Sequence, residues 1–295
     1  MRYGIVFANT GPLGTAEGAV ALAEACDAHG VESVWTVEHV LVPGGYESEY
    51  PYSSTGKMPG SEDSPIPDPL IRLTWVAANS SKVRLGTGVL ILPQRNPAVL
   101  AKEVATLDAL SKGRVELGIG VGWLEEEFDA LGVPFDRRGQ RTDEYIAALR
   151  EMWTTEETSF AGEFVNWERV MSFPKPHDGS PPIVVGGHSH AAARRAGRLG
   201  DGFFPGRQEI LGELIETMRT TAESAGRDPD AIEITTGAAM SPEKRQALVE
   251  LGCRAWCSRR RPSHPTRSAP PSNAPSIFSR RPHTHGPHQS DAPSG

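Results

Sequence analysis

The sequence is short of cysteine, of positive charge and of long apolar runs, and each shortage closes off a class of protein. Three cysteines, Cys26, Cys253 and Cys257, are an odd and sparse set in 295 residues. A disulfide scaffold is thereby excluded and a reducing, cytoplasmic location expected. Acidic side chains outnumber basic ones 37 to 30, a formal charge of −7, which argues against nucleic acid or an anionic membrane as partner. No apolar run approaches the roughly 20 residues of a bilayer span. The opening Met1-Arg2-Tyr3-Gly4-Ile5-Val6-Phe7 turns polar too soon for a signal peptide. His177 and His190 have no acid or cysteine at metal-ligand spacing, so no metal site is expected. With 38% hydrophobic residues, the length suits one large α/β domain or two smaller ones.

The last stretch lacks more. Residues 253–295 contain no Leu, Val, Lys or Glu, but 8 Pro, 8 Ser and 7 Arg; with Asp291 their only acid they carry +6, which leaves −13 on residues 1–252. So few apolar side chains cannot offset the entropy of ordering. The composition therefore predicts a body over 1–252 and a disordered or aberrant tail over 253–295, either a solvated charge run or the product of a shifted reading frame. Arg259-Arg260-Arg261 fits a solvated run or a contact to an acidic partner or phosphate.

Within the body, strand-like and helix-like patterns alternate, the signature of a parallel sheet covered by helices. Strands are expected at about 2–8, 33–37, 83–92, 114–119, 182–185, 201–204 and 232–236. Thr15 is a helix cap ahead of Ala16, Ala19, Val20, Ala23 and Cys26 at 3–4 spacing. Asn96 followed by Pro97 is a second helix start, with Leu100, Val104, Leu107 and Leu110 on one face and Gly113 as the stop. A Gly/Pro/Tyr/Ser-rich insertion occupies 41–67, and 158–173 reads as a hairpin excursion. Seven β/α units fit in 252 residues; a (β/α)8 barrel takes about 250. The eighth unit falls where the tail begins, so it is expected to be missing or replaced.

A barrel of this kind gathers its chemistry at the C-terminal ends of the strands. Glu38-His39 ends the second strand, and an imidazole there exchanges a proton near neutral pH or serves as a hydrogen-bonded structural group. Gly86-Thr87-Gly88-Val89 marks a bulge near a ligand or small residues needed for packing. Gly118-Ile119-Gly120-Val121-Gly122-Trp123 is not a dinucleotide fingerprint, because Trp123 stands at the third glycine position. Gly186-Gly187-His188-Ser189 joins a strand directly to a helix. That turn suits a phosphate on free helix N-terminal amides, or is an ordinary βα turn. Arg194 and Arg195 follow on the same helix, facing phosphate or solvent. Glu125-Glu126-Glu127 suits the first turn of a helix.

Taken in order, several stretches resemble the luciferase-like flavin and deazaflavin oxidoreductases. They are Trp35-Thr36-Val37-Glu38-His39, Leu85-Gly86-Thr87-Gly88-Val89, Pro93-Gln94-Arg95-Asn96-Pro97, Arg114 through Trp123, Arg138-Gly139 with Asp143-Glu144, Pro182 through Gly187, and Ala196 through Gly202. The likeness is to the branch that uses the deazaflavin coenzyme F420; FMN is the alternative. It implies a TIM-like (β/α)8 barrel and a bulged, cis peptide at Gly88-Val89 behind the ring. It implies Glu38 on the cofactor, His39 as the proton-exchanging group, and a phosphate turn at Gly186, Gly187, His188 and Ser189. Trp123 stands where the sugar-phosphate dehydrogenase branch carries an acid. Asn9, Arg95 and Trp123 are expected on the substrate side, with the insertion covering the mouth. The expected activity is hydride transfer between F420 and a small organic substrate in a possible homodimer. An FMN-dependent monooxygenase, and an inactive or ligand-binding incomplete barrel, are the competing expectations.

Overall fold

Local chemistry sets most element boundaries. In the computed structural model, which describes residues 2–206, 209–237, 241–253 and 255–258, the Thr15 hydroxyl accepts from Gly18 N at 3.0 Å and starts helix α1 (Ala16–His29). Gly30, in the left-handed region at φ 66°, ends it. Asp68 caps α2 (Pro69–Ala78) through the amides of Leu70 and Ile71. Asn96 caps α3 (Pro97–Ser111) through Ala98 and Val99, with Pro97 in the first turn where its missing N–H costs nothing. Further helices are α4 (Glu125–Ala130), α5 (Arg138–Thr154), α6 (His190–Leu199), α7 (Leu211–Ser224) and α8 (Pro242–Glu250).

Strands β1 (Arg2–Val6), β2 (Ser33–Thr36), β3 (Arg84–Thr87), β4 (Leu90–Ile91) and β5 (Val115–Gly120) alternate with these helices. An antiparallel hairpin, β6 (Glu157–Ala161) and β7 (Asn166–Met171), stands apart from the main sheet. Then follow β8 (Ile183–Gly187), β9 (Gly202–Pro205), β10 (Glu233–Gly237) and β11 (Ala255–Ser258). The main sheet is parallel throughout: β1 pairs with β2, β2 with β3, β3 and β4 with β5, β5 with β8, β8 with β9 and β9 with β10. The expected third strand over 83–92 is two short strands, interrupted at a cis Gly88–Val89 peptide.

The expectation of a missing eighth strand is corrected. Ala255 lies opposite both Thr235 of β10 and Arg2 of β1, so β11 completes a TIM-like ring. The physical reason is edge pairing. A gap between β1 and β10 would leave two rows of unpaired backbone groups, and a short extended segment satisfies both. Residues after 258, where an eighth helix would follow, lie outside the described residues, as does the rest of the expected tail.

The main core lies between the ring and its helices, with Leu73, Leu85, Leu100, Leu117, Leu149 and Phe203 fully buried. A smaller cluster inside the ring is built on Trp35, with Val6, Val184 and Phe204. Trp35 donates to Ser33 Oγ at 2.9 Å and meets Phe204 edge-on at 5.4 Å. The strand glycines make room for this interior. A Cβ on Gly86 would sit 2.5 Å from Trp35 Cε3, and one on Gly120 2.6 Å from Val89 Cγ2. Gly88 likewise faces Trp35 and Phe204. Packing, the second of the two readings of these glycines, accounts for their side-chain faces. At the N-terminal ends of the strands Arg2 and Arg84 pair with Glu32, Glu116 and Glu233. The ring is closed there by charge, and the opposite end is left for chemistry.

Candidate active site

Five strand ends define the mouth: His39 after β2, the cis peptide between β3 and β4, Trp123 after β5, the Gly186–His188 turn at β8, and Gly206 after β9. His39 Nδ1 lies 3.0 Å from Glu127 Oε2, a carboxylate that is itself buried. A carboxylate only accepts, so the contact is a hydrogen bond with Nδ1 as the donor, and Nε2 is the ring nitrogen turned away from Glu127. The other Glu127 oxygen accepts from Val40 N at 2.7 Å and Leu41 N at 3.2 Å. One side chain therefore holds both the imidazole and the first residues of the insertion. Sequence reasoning missed Glu127, because three consecutive glutamates at the start of α4 already have a sufficient explanation in the helix dipole.

Glu38 is buried and bonded through both oxygens. One oxygen accepts from Ile91 N at 2.5 Å and the other takes the Arg95 guanidinium, whose Nε is 3.1 Å away; Arg95 also bonds Asp68 at 2.9 Å. Burial pushes the Glu38 carboxyl above its ordinary range, against the pull of Arg95. Burial would lower Arg95, but the Glu38 carboxylate outweighs it and raises the guanidinium. Glu38, expected on the cofactor, and Arg95, expected on the substrate side, satisfy each other's charge, tying β2 to the end of β4 and to α2. Asn9, also expected on the substrate side, is bonded within the protein in the same way. It is fully buried, donates to the carbonyls of Val37 and Pro67, and accepts from Val37 N, so its amide is consumed by backbone. Glu38→Ala is expected to cost about 2–3 kcal/mol. That is below the roughly 3–5 for a wholly stranded buried charge, because Arg95 keeps Asp68. A denaturant titration of the variant checks it.

The insertion between β2 and α2 crosses the mouth on a chain of rings. Trp123 meets His39 at 5.7 Å, Tyr46 at 5.5 Å and Tyr50 at 5.2 Å between centroids, all near perpendicular. Tyr50 continues to Tyr52 at 5.4 Å, and Tyr52 to His188 at 4.7 Å. Tyr52 also packs against Gly206, where any Cβ would displace its ring. A second tie runs to Glu126, which accepts from Glu47 N at 2.6 Å and Ser48 N at 3.0 Å. The Ser48 hydroxyl and these amides, outweighing burial, hold the Glu126 carboxyl down to about 2. A depressed folded pKa contributes stability above the unfolded value, near 4.5, that is lost as pH falls through about 2. Glu126→Gln is expected to flatten the acid limb of a stability–pH profile in that window, read by thermal melts.

At the far side of the mouth Gly187 has φ 133°, a conformation that favours glycine, and its position lies against Ala192 Cβ. Ser189 caps α6 by accepting from Ala192 N at 3.2 Å. Its hydroxyl is engaged, while the His190 and Ala191 amides are first-turn donors with no acceptor inside the helix. Arg195, read as facing phosphate or solvent, instead pairs with Asp143 and donates to Gly139 O at 3.0 Å; Arg198 joins the same aspartate at 2.8 Å. Among the described residues no group of three or more His, Cys, Asp or Glu is placed to hold a metal, and no helix is long and apolar enough to cross a membrane. The donor set fits a phosphorylated ring cofactor: first-turn amides exposed at one wall, and opposite them the His39 imidazole and an interrupted strand.

A parallel α/β ring with a histidine and a helix N-terminus at its C-terminal mouth defines a TIM-like enzyme scaffold. The family model for luciferase-like monooxygenases matches residues 1–292, and the chain belongs to that family. The match continues into the segment that composition sets apart. An uncharacterised protein of Mycobacterium tuberculosis is 31% identical over 254 residues, covering 85% of this chain and 89% of that one. An F420-dependent glucose-6-phosphate dehydrogenase of Kineococcus radiotolerans is 34% identical over 202 residues, 66% of this chain and 59% of that one. Among solved structures, the monooxygenase RslO1 from Streptomyces bottropensis superposes with a TM-score of 0.64 at 29% identity, covering 85% and 75% of the two chains.

Proposed function

We propose that this protein is a coenzyme F420-dependent oxidoreductase that moves a hydride between the deazaflavin and a small organic substrate, with His39 as the proton-exchanging group. The observation that carries the reading is the Glu127–His39 pair at the mouth, facing a glycine turn whose helix presents free amides. The likeness to an F420-dependent dehydrogenase supports the choice of cofactor. When bound, the deazaflavin supplies the hydride chemistry. The chain contributes position and protons. The amides of His190 and Ala191 and the turn at Gly186, Gly187 and His188 would hold its phosphate. The Gly88–Val89 segment would support the ring, and Val89 is braced against Gly120 and Gly186. Trp123 and the tyrosines of the insertion exclude water. Glu127 fixes the Nδ1–H tautomer, so that Nε2 takes or gives the proton that accompanies hydride movement.

An FMN-dependent monooxygenase is the second reading, favoured by the likeness to RslO1; a helix N-terminus holds either phosphate. Titration of the purified full chain with F420 and with FMN, following each chromophore's fluorescence, separates them. Saturable uptake of F420 with weaker or no uptake of FMN is expected. Uptake of FMN alone transfers the assignment to the second reading, and uptake of neither overturns both.

A further inference from the structure

We infer that Asn9 and Arg95 form a two-rung clamp across the neck of the insertion, and that this clamp positions His39 against Glu127. The inference rests on the proposed function and adds two positioning residues to it. Strand β2 ends at Thr36, and residues 37–39 carry no regular structure. Up to that point the edge of β2 is paired by backbone, with Ala8 N donating to Trp35 O at 3.0 Å. The chain after β1 then turns away into a short 3-10 helix, Gly11–Gly14, and the side chain of Asn9 takes over. Its Oδ1 accepts from Val37 N at 2.9 Å and its Nδ2 donates to Val37 O at 2.8 Å, so the amide plays the part of one more strand neighbour. Nδ2 also donates to Pro67 O at 2.9 Å, at the other end of the insertion. Both amide hydrogens and the carbonyl oxygen are used.

The next residue on each side is bridged as well. Arg95, just after β4, bonds Glu38 through Nε at 3.1 Å and Asp68 through Nη2 at 2.9 Å. Residues 37 and 38 are joined to 67 and 68 in register, once by a neutral amide and once by the fork of a guanidinium. His39 is the next residue along the clamped segment. Glu127 holds its Nδ1 at 3.0 Å and, just beyond, the amides of Val40 and Leu41. The backbone before the imidazole is fixed by rungs from β1 and from the end of β4, and the ring itself by α4. Releasing both rungs frees residues 37–39 to move with the insertion and draws the ring away from Glu127.

The test follows the neck and the ring separately in the full chain without cofactor. Lys57 is the only lysine or arginine in residues 41–67, so release of the 1–57 fragment by trypsin reports opening of the insertion. Nitrogen–proton NMR reports the His39 ring. Its Nδ1–H signal, shifted by the bond to a carboxylate, is identified by its absence from His39→Gln. Asn9→Ala and Arg95→Gln are each expected to raise the cleavage rate about threefold. The double variant raises it by more than the product of the two, because either rung alone keeps the neck closed, and it loses the His39 signal. Leu214→Ala, buried on α7, is the control. Its stability falls, yet below its melt both cleavage at Lys57 and the His39 signal stay as in the parent. Should the double variant lack a cooperative melt, amide exchange in the parent and in Asn9→Ala carries the test. The Val37 amide is expected to be protected at least about 100-fold in the parent and to lose most of that protection in Asn9→Ala. A Val37 amide that exchanges freely in the parent, a folded double variant that keeps the His39 signal, or a control that behaves like the double variant overturns the inference. Uptake of F420 and of FMN by the parent is read separately by fluorescence. Uptake of F420 with any of those three results sinks the clamp and spares the proposed function. Uptake of neither pigment, with the neck behaving as stated, sinks the proposed function and leaves the clamp standing.

Discussion

Gly118→Ala is expected to yield little or no folded protein. A Cβ at this position falls on the carbonyl oxygen of Thr87 in the neighbouring strand and comes within 3.4 Å of Trp35 Cζ3. The first obstacle is backbone, so no rotamer change relieves it. Thr87 also donates its hydroxyl to Gly118 O at 2.6 Å, which holds the two chains at that separation. Trp35 blocks retreat into the ring, since it already fills the space over Gly86 and Gly88. Overpacking of a close-packed interior with nowhere to yield belongs to the rare class of substitutions costing more than about 4 kcal/mol. Against a total stability of roughly 5–15 kcal/mol, that empties the native state or leaves it marginal. Gly44→Ala is the control: its nearest neighbour is Glu62 Oε2 at 3.7 Å, an ordinary contact. Soluble yield and a circular-dichroism melt compare the two, and a cooperative, wild-type-like transition for Gly118→Ala would refute the packing argument.

His39→Ala is expected to lower turnover by about 10²–10⁴-fold, the usual contribution of a positioned acid or base, while pigment uptake stays near that of the parent. The separation follows from geometry. The imidazole is tied to Glu127 and edges Trp123, whereas the proposed phosphate donors belong to α6. Added imidazole should restore part of the lost rate, because removal of the ring leaves a hole beside an intact carboxylate. Glu127→Gln is the milder test. Its amide oxygen still accepts from Val40 and Leu41, so the insertion stays anchored, but the charge that steadies a protonated ring is gone; a loss of about tenfold is expected. A His39→Ala enzyme working at full rate removes the proposed role of the residue.

The parts of this molecule that could be read directly are those decided over short stretches of chain. Asn96-Pro97 and Thr15 announce helix starts because cap and first turn are neighbours. Alternation in Val115, Leu117 and Ile119 marks a strand for the same reason, and the hairpin at 157–171 was visible in outline. The residues that misled depend on partners far along the chain. Leu110 shares a spacing with Leu107, yet it is 70% exposed; the buried face of α3 is centred on Leu100, Ala101, Val104 and Asp108, and Leu110 falls past its edge. Asn9 and Arg95 stand at strand ends, and their bonds to Pro67 and Glu38 join residues 58 and 57 positions apart, which no local pattern announces. Glu127 reaches His39 across 88 positions, and no local pattern distinguishes it from Glu125 or Glu126. Four residues of β11 were hidden by averaging over a segment poor in apolar side chains.

The insertion over the mouth is stapled close to both ends. Glu127 grips Val40 and Leu41 and Glu126 grips Glu47 and Ser48, while at the other end Asn9 holds Pro67. Between those staples, residues 53–63 touch the barrel through few of its structural bonds. This stretch is in effect an exchangeable cassette. Its length and side chains can be rewritten, by natural variation or by grafting, without disturbing His39, the ring of strands or helix α6. Divergence in what the enzyme accepts can therefore accumulate in about a dozen residues while the machinery beneath them stays constant.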